Sequence, residues 1–266
     1  MNSELKPILK WAGGKSSLLP KIKECIVNHS KKLVFKRYVE PFLGSGALFL
    51  SLVQDDNFQI KNFLINDANM ELINLYRCIK KNPREVISRH MKIKNEYLST
   101  GDYYLIRSKF NGIDQNGDKI KKYSKLDRAA AFMILNKTCF NGLYRVNKQG
   151  LFNVPKGSYK NPRIVDEENL YKLSSFLPKT ENIRNTQFDD INEIEKGDLV
   201  YFDPPYHPLN ETSSFTSYSG SFGRKEQIRL RDYFNKLNDI GVNVILSNSS
   251  SPFIKEIYNG FNIIEI

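Results

Sequence analysis

The segment Tyr38-Val-Glu-Pro-Phe-Leu-Gly-Ser-Gly constrains the fold more than any other part of this 266-residue chain. Its first five residues, 38–42, predict a short strand. The glycines that follow permit a sharp turn, and the run GALFLSLV at 46–53 is apolar enough to form a helix buried against a sheet. A strand that passes through a glycine turn into a buried helix is typical of an α/β fold.

Strands and helices alternate on both sides of a middle segment that has a different character. We predict further strands at 63–67, 242–248 and 261–266, a strand that runs into a proline-fixed turn within 198–206, and helices at 16–28, 70–80, 166–177 and 224–239. Inside the middle segment we predict helices at 84–98, 102–110 and 125–137 and a β-hairpin at 139–155 around the turn NKQG. The expected fold class is α/β, with a Rossmann-like sheet domain (1–69 and 166–266) and an inserted, mainly helical domain (70–165) that bears the hairpin.

Positive charge is concentrated in one part of the chain. The net charge is +11, and residues 102–165 hold 13 Lys and Arg against 4 Asp and Glu, a net charge of +9. A solvated basic face would have the same composition. Concentration in one segment nevertheless favours a module that faces nucleic acid.

Cysteine and histidine residues are few and widely spaced. The three cysteines, Cys25, Cys78 and Cys139, form no CxxC pair, which argues against a disulfide framework and for a reducing cytoplasm. The three histidines are equally scattered, so we expect no metal site. The sequence also contains no apolar run of the length that a membrane span requires, and its first residues have no signal-peptide core.

The segment Trp11-Ala-Gly-Gly-Lys-Ser superficially resembles a P-loop. That motif requires a glycine where this chain has Leu9, and it should follow an apolar strand, so we exclude an ATPase. Gly13 and Gly14, beside Trp11 and Lys15, could form a backbone wall around a planar ligand with an anionic end. A glycine loop that caps the next helix is an equally good interpretation.

The glycine turn at Phe42, Gly44 and Gly46 would let a nucleotide-like ligand approach the backbone at the edge of a sheet. Asp67 follows Gly46 by 21 residues, at the end of the next predicted strand, where a carboxylate can accept hydrogen bonds from ribose hydroxyls. No third glycine completes a dinucleotide fingerprint. A single-nucleoside cofactor such as S-adenosyl-L-methionine therefore fits better than NAD.

The most specific motif is Asp203-Pro204-Pro205-Tyr206, directly after the apolar run DLVYF. The N6 amino group of adenine is a poor nucleophile because its lone pair is delocalised into the ring. The Asp203 carboxylate and the Pro204 carbonyl could each accept one N–H and shift the nitrogen towards sp³ character, while Tyr206 stacks on a base held outside the duplex. Positioning would then supply most of the rate, without a covalent nucleophile or a metal.

The cysteines help to distinguish between classes of methyltransferase. Methylation at C5 of cytosine needs a cysteine nucleophile, usually after a proline, and none of the three cysteines follows a proline. Transfer to an exocyclic amino group fits the sequence better.

With these motifs, the chain resembles the Dam-like DNA adenine-N6 methyltransferases of the α group, which methylate adenine in GATC, and the modification methylases of DpnII type. The resemblance lies in the segments LKWAGGKSSLLP (9–20), EPFLGSGALF (40–49), NDANMELINLY (66–76), FNGLYRVNKQGLFNVPKGSYKNP (140–162) and YFDPPYHPLNETSSFTSY (201–218). The fourth segment would lie in the target-recognition domain, and the order of the motifs matches the α group.

The resemblance implies roles for individual residues. The cofactor would be bound by Trp11, Gly13, Gly14, Lys15, Phe42, Gly44, Gly46, Asp67, Phe188 and Asp203. Lys10 and Arg145 would read guanines, and a bidentate contact from arginine to guanine is the commonest specific contact. Phe140 would stack into the gap left by the flipped base, although core packing of the hairpin is an alternative. The other implied DNA contacts are Lys137, Asn141, Leu143, Asn147 and Lys148.

Two other functions stay open at this point: an RNA adenine-N6 methyltransferase, and a catalytically impaired relative that only binds DNA. The expected partner is duplex DNA in a bacterial or phage context, with a restriction endonuclease as a functional companion and no stable protein partner. The resemblance also predicts a Ser/Arg/Lys-bearing stretch and a closing strand beyond Ile266.

Overall fold

The computed structural model describes residues 4–30, 32–159, 166–209 and 222–266. Some residues singled out above lie outside these ranges: Lys160 and Arg163 of the basic segment, and the stretch 210–218 of the last resembling segment.

Two compact units make up the chain. The first comprises Met1–Leu19, Gly44–Asp55 and Asn69–Asn185, and the second comprises Pro20–Leu43, Asp56–Ala68 and Thr186–Ile266. These bounds differ from those of the predicted domains, because two early segments pack with the helices of the middle segment. The division into a catalytic and a recognition domain is a functional assignment and stays a prediction.

Five strands form one sheet within the described residues. They are β1 (Val34–Glu40), β2 (Gln59–Asn66), β3 (Ile183–Arg184), β4 (Leu199–Phe202) and β5 (Asn243–Leu246), in the order β3-β2-β1-β4-β5. The pairs β1–β2, β1–β4 and β4–β5 are parallel, which confirms the predicted α/β class with a Rossmann-like sheet.

Strand β3 was not predicted, and the other strand predictions differ from the structure mainly at strand ends. Strands β1 and β2 begin four residues before the predicted starts at 38 and 63, where exposed polar residues interrupt the apolar pattern. The strand predicted at 261–266 is wrong: Phe261 makes one isolated bridge, and the following isoleucines are exposed. An apolar run forms a strand only where a neighbouring strand supplies hydrogen-bonding partners, and the local pattern does not reveal that neighbour.

All eight predicted helices are present, with ends that differ by up to three residues, and a ninth helix after β5, which was not predicted, follows near the end of the described residues. They are α1 (Leu19–His29), α2 (Ala47–Leu52), α3 (Met70–Lys81), α4 (Pro83–Thr100), α5 (Tyr103–Asn111), α6 (Lys125–Thr138), α7 (Glu167–Phe176), α8 (Arg224–Asp239) and α9 (Pro252–Ile257). The side chains of Asn69, Asn82, Asp102 and Ser124 accept hydrogen bonds from backbone N–H groups in the first turns of α3 to α6. These caps satisfy donors that have no partner inside a helix, and so they fix where each helix begins. Among the described residues, every helix is too short or too polar to cross a bilayer.

The core of the second unit joins the sheet to α8. Val39, Val200 and Phe202 of the strands pack with Leu230 and Phe234 of the helix. The apolar residues on one face of α8 repeat at helical spacing, so one stripe is buried while its charged residues face solvent. This packing supports β4 and therefore the turn that follows it.

The first unit is built around α6, which packs against α3, α4 and α5. Arg128 of α6 forms an ion pair with Glu71 of α3 and donates a hydrogen bond to the carbonyl of Phe110. Its guanidinium also lies 4.2 Å from the centre of the Phe110 ring. A buried charge is tolerated when it is paired and its donors are satisfied, as they are here.

His90 of α4 is fully buried against α6. Its Nδ1 donates a hydrogen bond of 3.0 Å to the carbonyl of Ala130, while Nε2 has no hydrogen-bond partner among the described residues. Burial lowers the pKa of His90 from 6.5 to about 4, because a second proton would place an unsatisfied charge in the core.

We predict that His90 makes the protein less stable in acid. The pKa is lower in the folded state than in the unfolded state, so stability falls as the pH drops below about 6.5 and levels off below about 4. At pH 5 the loss from this residue is about 2 kcal/mol. Urea denaturation at pH 7.5 and pH 5 measures it. His90→Gln should reduce the difference, whereas replacing exposed His29 with Gln should not. An unchanged difference in His90→Gln would contradict the prediction.

Candidate active site and nucleic-acid interface

Three predicted site residues follow parallel strands in the second unit. Phe42 comes two residues after β1, Asp67 directly after β2 and Asp203 directly after β4. The register pairs Glu40 of β1 with Ile65 of β2, so the strands end side by side. Open α/β sheets bind ligands beyond the carboxyl ends of their strands, which is where these residues lie.

The turn after β4 carries a carboxylate and, three residues later, an exposed aromatic ring. Asp203 is half-buried, Pro204 is buried, and Tyr206 is 38% exposed. The consecutive prolines fix two φ angles and so limit the conformations of the turn. The turn offers a carboxylate and a carbonyl as hydrogen-bond acceptors, together with a ring on which a planar group can stack.

Two buried tyrosines underlie this turn. The Tyr38 hydroxyl donates a hydrogen bond of 2.8 Å to Glu40, and the Tyr201 hydroxyl lies 2.8 Å from Oγ of Ser247. Burial raises the pKa of both tyrosines, and the carboxylates of Glu40 and Asp203 raise it further, so both hydroxyls stay protonated. The predicted site residues do not include Glu40, the acid that ends β1.

Phe188 packs in the core of the second unit. Its ring stacks on Phe42 with 5.3 Å between ring centres, and Phe222 lies 5.9 Å away. Only 3% of Phe188 is exposed, whereas Phe42 is partly exposed. In this arrangement Phe188 supports Phe42; direct contact between Phe188 and the cofactor stays a prediction.

The first unit contains the glycines of the turn and the tryptophan of the WAGGK segment. Gly44 has a φ of +52°, and a Cβ atom there would lie 2.9 Å from Cδ1 of Trp11. Gly46 also has a positive φ, of +68°. Only glycine fits this left-handed backbone in contact with an indole ring. Trp11 in turn stacks on Tyr144, with 6.3 Å between the ring centres.

The WAGGK segment forms a tight turn. The N–H of Gly14 donates to the carbonyl of Trp11, and the buried Lys15 ammonium lies 2.5 Å from the carbonyl oxygen of Gly13. Gly13 has a φ of +77°. A buried ammonium beside exposed glycine backbone suits the anionic end of a ligand.

The predicted β-hairpin is present. Val146 pairs with Phe152 in an antiparallel bridge, and the side chain of Asn147 accepts two backbone N–H bonds across the NKQG turn. The exposed Arg145 donates a hydrogen bond of 2.8 Å to the Asn153 side chain. This contact holds the guanidinium against the hairpin, while the exposed Lys148 lies in the turn.

Phe140 and Asn141 lie in a short turn between α6 and the hairpin. Phe140 is 51% exposed, which is inconsistent with core packing of the hairpin. Asn141 has a φ of +53° and is the only non-glycine residue with a positive φ among the described residues. Strained backbone of this kind is often found at binding sites. Leu143, which is half-buried, follows this turn, and Lys137 precedes it.

A buried amide joins this turn to the N-terminal segment. Oδ1 of Asn136 accepts the N–H of Lys10, and its Nδ2 donates to the carbonyls of Lys10 and Gly142, at 2.8–2.9 Å. The Lys10 ammonium lies 3.9 Å from the centre of the Tyr159 ring. Asn136 therefore brings together two elements that were predicted to contact DNA, and sequence reasoning did not identify it.

The three cysteines are free thiols. Cys139 is buried, and burial raises its pKa to about 11. A thiol with a raised pKa is a weak nucleophile at neutral pH. This agrees with the sequence argument against methylation at C5 of cytosine.

Comparison with known proteins identifies the class. Residues 11–266 match the D12 class of N6 adenine-specific DNA methyltransferases. The chain is 42% identical to the type II methyltransferase M.MjaIII of Methanocaldococcus jannaschii, over 98% of this chain and 90% of that protein. It is 44% identical to the type II methyltransferase M1.LlaDCHI of Lactococcus lactis subsp. cremoris, over 98% and 87%. A DNA adenine methylase of Vibrio cholerae is 34% identical over 96% and 85%.

The chain therefore belongs to the D12 class family and is an adenine-specific DNA methyltransferase. This confirms the class that the resemblance predicted. The roles of individual residues stay predictions.

We predict that Asn136→Leu lowers the free energy of unfolding by about 2–4 kcal/mol. The substitution leaves a buried backbone N–H and two carbonyls without their amide partner, and each such group is costly. Urea denaturation measures the loss. Asn95→Leu, on the exposed face of α4, is the control and should change stability by less than about 0.5 kcal/mol. Equal effects of the two substitutions would contradict the importance of the buried amide.

Proposed function

We propose that the chain transfers a methyl group from S-adenosyl-L-methionine to N6 of adenine within GATC in duplex DNA, after flipping the base out of the helix. The turn Asp203–Tyr206 carries this proposal, since it combines a half-buried carboxylate and an exposed aromatic ring at the carboxyl edge of a parallel sheet. Family membership supports adenine N6 as the target atom.

The proposed chemistry depends on positioning. Asp203 and the Pro204 carbonyl each accept an N–H bond from the amino group, which makes its lone pair available for attack. Tyr206 stacks on the base and holds it in the extrahelical position. No group of the protein becomes covalently linked to the base, and the rate comes from alignment and from hydrogen bonds that strengthen as charge develops.

The residues of the predicted cofactor site fit S-adenosyl-L-methionine, which supplies a methyl group activated by a sulfonium centre. The buried Lys15 ammonium suits a carboxylate, and Asp67 suits ribose hydroxyls. The partly exposed ring of Phe42 and the indole of Trp11 offer faces for the adenine or the aliphatic part of the molecule.

Specific DNA recognition is assigned to the hairpin and the turn before it. Arg145 would read a guanine from the hairpin, Lys10 would read a second one, and Phe140 would fill the gap left by the flipped adenine. Neighbouring bases or the adjacent DNA backbone would be contacted by Asn141 and Leu143. Further DNA contacts would come from Lys137, Asn147 and Lys148. The +9 segment 102–165 would attract the phosphates.

Two further assignments complete the proposal. The functional domains are the catalytic 1–69 with 166–266 and the recognition domain 70–165. The type II methyltransferases among the relatives suggest that a restriction endonuclease accompanies this enzyme.

A methylation assay tests the proposed function. The protein is incubated with S-adenosyl-L-methionine labelled on the methyl group and with one of four substrates. These are a GATC duplex, a duplex of equal composition without GATC, a GATC duplex already methylated at N6, and an RNA hairpin. Only the first should be labelled. Equal labelling of both unmethylated duplexes would contradict GATC specificity, and preference for RNA would favour the alternative enzyme. DNA binding without any labelling would favour the impaired relative.

We predict that Asp203→Ala abolishes turnover with only a modest loss of DNA affinity, because it removes an acceptor for the N6 hydrogens. Turnover and fluorescence anisotropy with labelled duplex measure the two effects. Asp239→Ala, at the exposed end of α8, is the matched control and should turn over like the wild type. Wild-type turnover of Asp203→Ala would contradict the assigned role.

We predict that Arg145→Ala weakens discrimination at one guanine by about 1–3 kcal/mol, since one bidentate base contact is lost. Methylation rates on GATC and on single-base variants measure this. Exposed Lys121→Ala is the control, and it should weaken binding equally on all duplexes and reduce the dependence on salt. If Arg145→Ala lowered the methylation rate equally on GATC and on all single-base variants, Arg145 would be a phosphate contact instead.

A further inference from the structure

A pair of amide side chains lies beneath the turn that carries Tyr206. Gln227 of α8 is fully buried, and Asn248 follows β5 by two residues. The Nδ2 of Asn248 donates a hydrogen bond of 3.0 Å to Oε1 of Gln227. Neither residue belongs to the sequence motifs described above.

The opposite ends of this pair hold the backbone on both sides of Tyr206. Nε2 of Gln227 donates a hydrogen bond of 2.9 Å to the carbonyl of Pro205, and the N–H of His207 donates one of 3.2 Å to Oδ1 of Asn248. Three hydrogen bonds thus connect the two consecutive peptide groups, 205–206 and 206–207, through the two amide side chains. The peptide groups that flank Tyr206 are both fixed, while its ring is exposed.

A second contact restrains the same stretch of chain. Nδ1 of His207 lies 3.2 Å from Oγ of Ser251, and the His207 ring lies 4.8 Å from the ring of Phe253. Ser251 is buried and caps α9. The backbone after Tyr206 is therefore attached to α9 as well as to the amide pair.

The chemistry of the pair favours a positioning role over simple filling of space. A buried amide is unfavourable unless its donors and acceptors are satisfied, and apolar side chains of the same size would fill the site without that requirement. The hydrogen bonds of this pair end on the two peptides beside the one exposed ring of the turn. Directional bonds fix orientation, which apolar packing does not.

We propose that Gln227 and Asn248 are positioning residues for methyl transfer, which orient Tyr206 and the preceding proline carbonyls towards the flipped adenine. This inference rests on the proposed function of Tyr206 as the stacking residue. The pair acts on the transfer step through the backbone that it holds.

Gln227→Met tests this inference, since methionine is similar in size to glutamine and removes both hydrogen bonds. The rate of a single turnover at saturating DNA and S-adenosyl-L-methionine should fall on the order of 10- to 100-fold. The dissociation constant for S-adenosylhomocysteine, measured by calorimetry, should change less than about twofold. If Gln227→Met does not fold, Asn248→Ala at a less buried position replaces it. It should likewise lower the single-turnover rate and leave the dissociation constant for S-adenosylhomocysteine nearly unchanged.

A mutant cycle with Tyr206 separates positioning from stability. In a Tyr206→Ala background, Gln227→Met or Asn248→Ala should cause little further loss, because the residue that the pair orients is gone. A full additional loss in that background would overturn the inference and show a general structural effect. An unchanged single-turnover rate for Gln227→Met and Asn248→Ala in the protein that retains Tyr206 would overturn the inference as well.

One control variant and the behaviour of the wild type and of Tyr206→Ala keep this test apart from that of the proposed function. Asn235→Leu replaces another amide on α8, two turns from Gln227, and should leave the single-turnover rate at the wild-type value. Wild-type protein that does not methylate DNA, or Tyr206→Ala with the wild-type rate, would refute the proposed function. A reduced single-turnover rate in Tyr206→Ala, together with wild-type rates in the Gln227 and Asn248 variants, would refute the positioning inference. The proposed function would not be affected by that result.

Discussion

The parallel pairing of β1 with β4 is the constraint on which the candidate active site depends. Val39 lies opposite Val200, although the two residues are far apart in the chain. This register brings the end of β1 and the end of β4 to the same edge of the sheet, and β2 ends there as well. Asp67 and Asp203, which are proposed to serve one reaction, follow strands that run in the same direction and end at this edge.

Three of the turns discussed above are held by the same device. Among the described residues, three amide side chains are fully buried, those of Asn66, Asn136 and Gln227. Each donates a hydrogen bond to a backbone carbonyl in a different turn, at Pro41, Gly142 and Pro205 respectively. Turns present backbone groups that no ladder or helix satisfies, and a buried amide satisfies them while fixing one geometry. In these three turns, directional hydrogen bonds therefore add to apolar packing and fix the backbone.

Local patterns in the sequence predicted the elements better than they predicted these supports. The helix at 224–239 was predicted with its observed bounds, because its apolar stripe repeats along a single segment. Asn136 and Gln227 could not be recognised in the same way. Their partners include Lys10, 126 residues from Asn136, and Pro205, 22 residues from Gln227, so only the folded chain reveals them. The wrong strand at 261–266 has the same origin, since its missing neighbour is also a long-range property.

The positive charge of the segment 102–165 is partly used inside the protein. Arg128 pairs with Glu71, and Lys109 pairs with Glu96; both acids lie outside the segment and offset its formal charge of +9. Exposed lysines nearby remain to attract phosphates, but such contacts carry no sequence information. Specificity must then come from a few side chains held in fixed orientations. Arg145, the proposed guanine reader, would have that property, because its bond to Asn153 restrains a long side chain and would reduce the entropy lost on binding DNA.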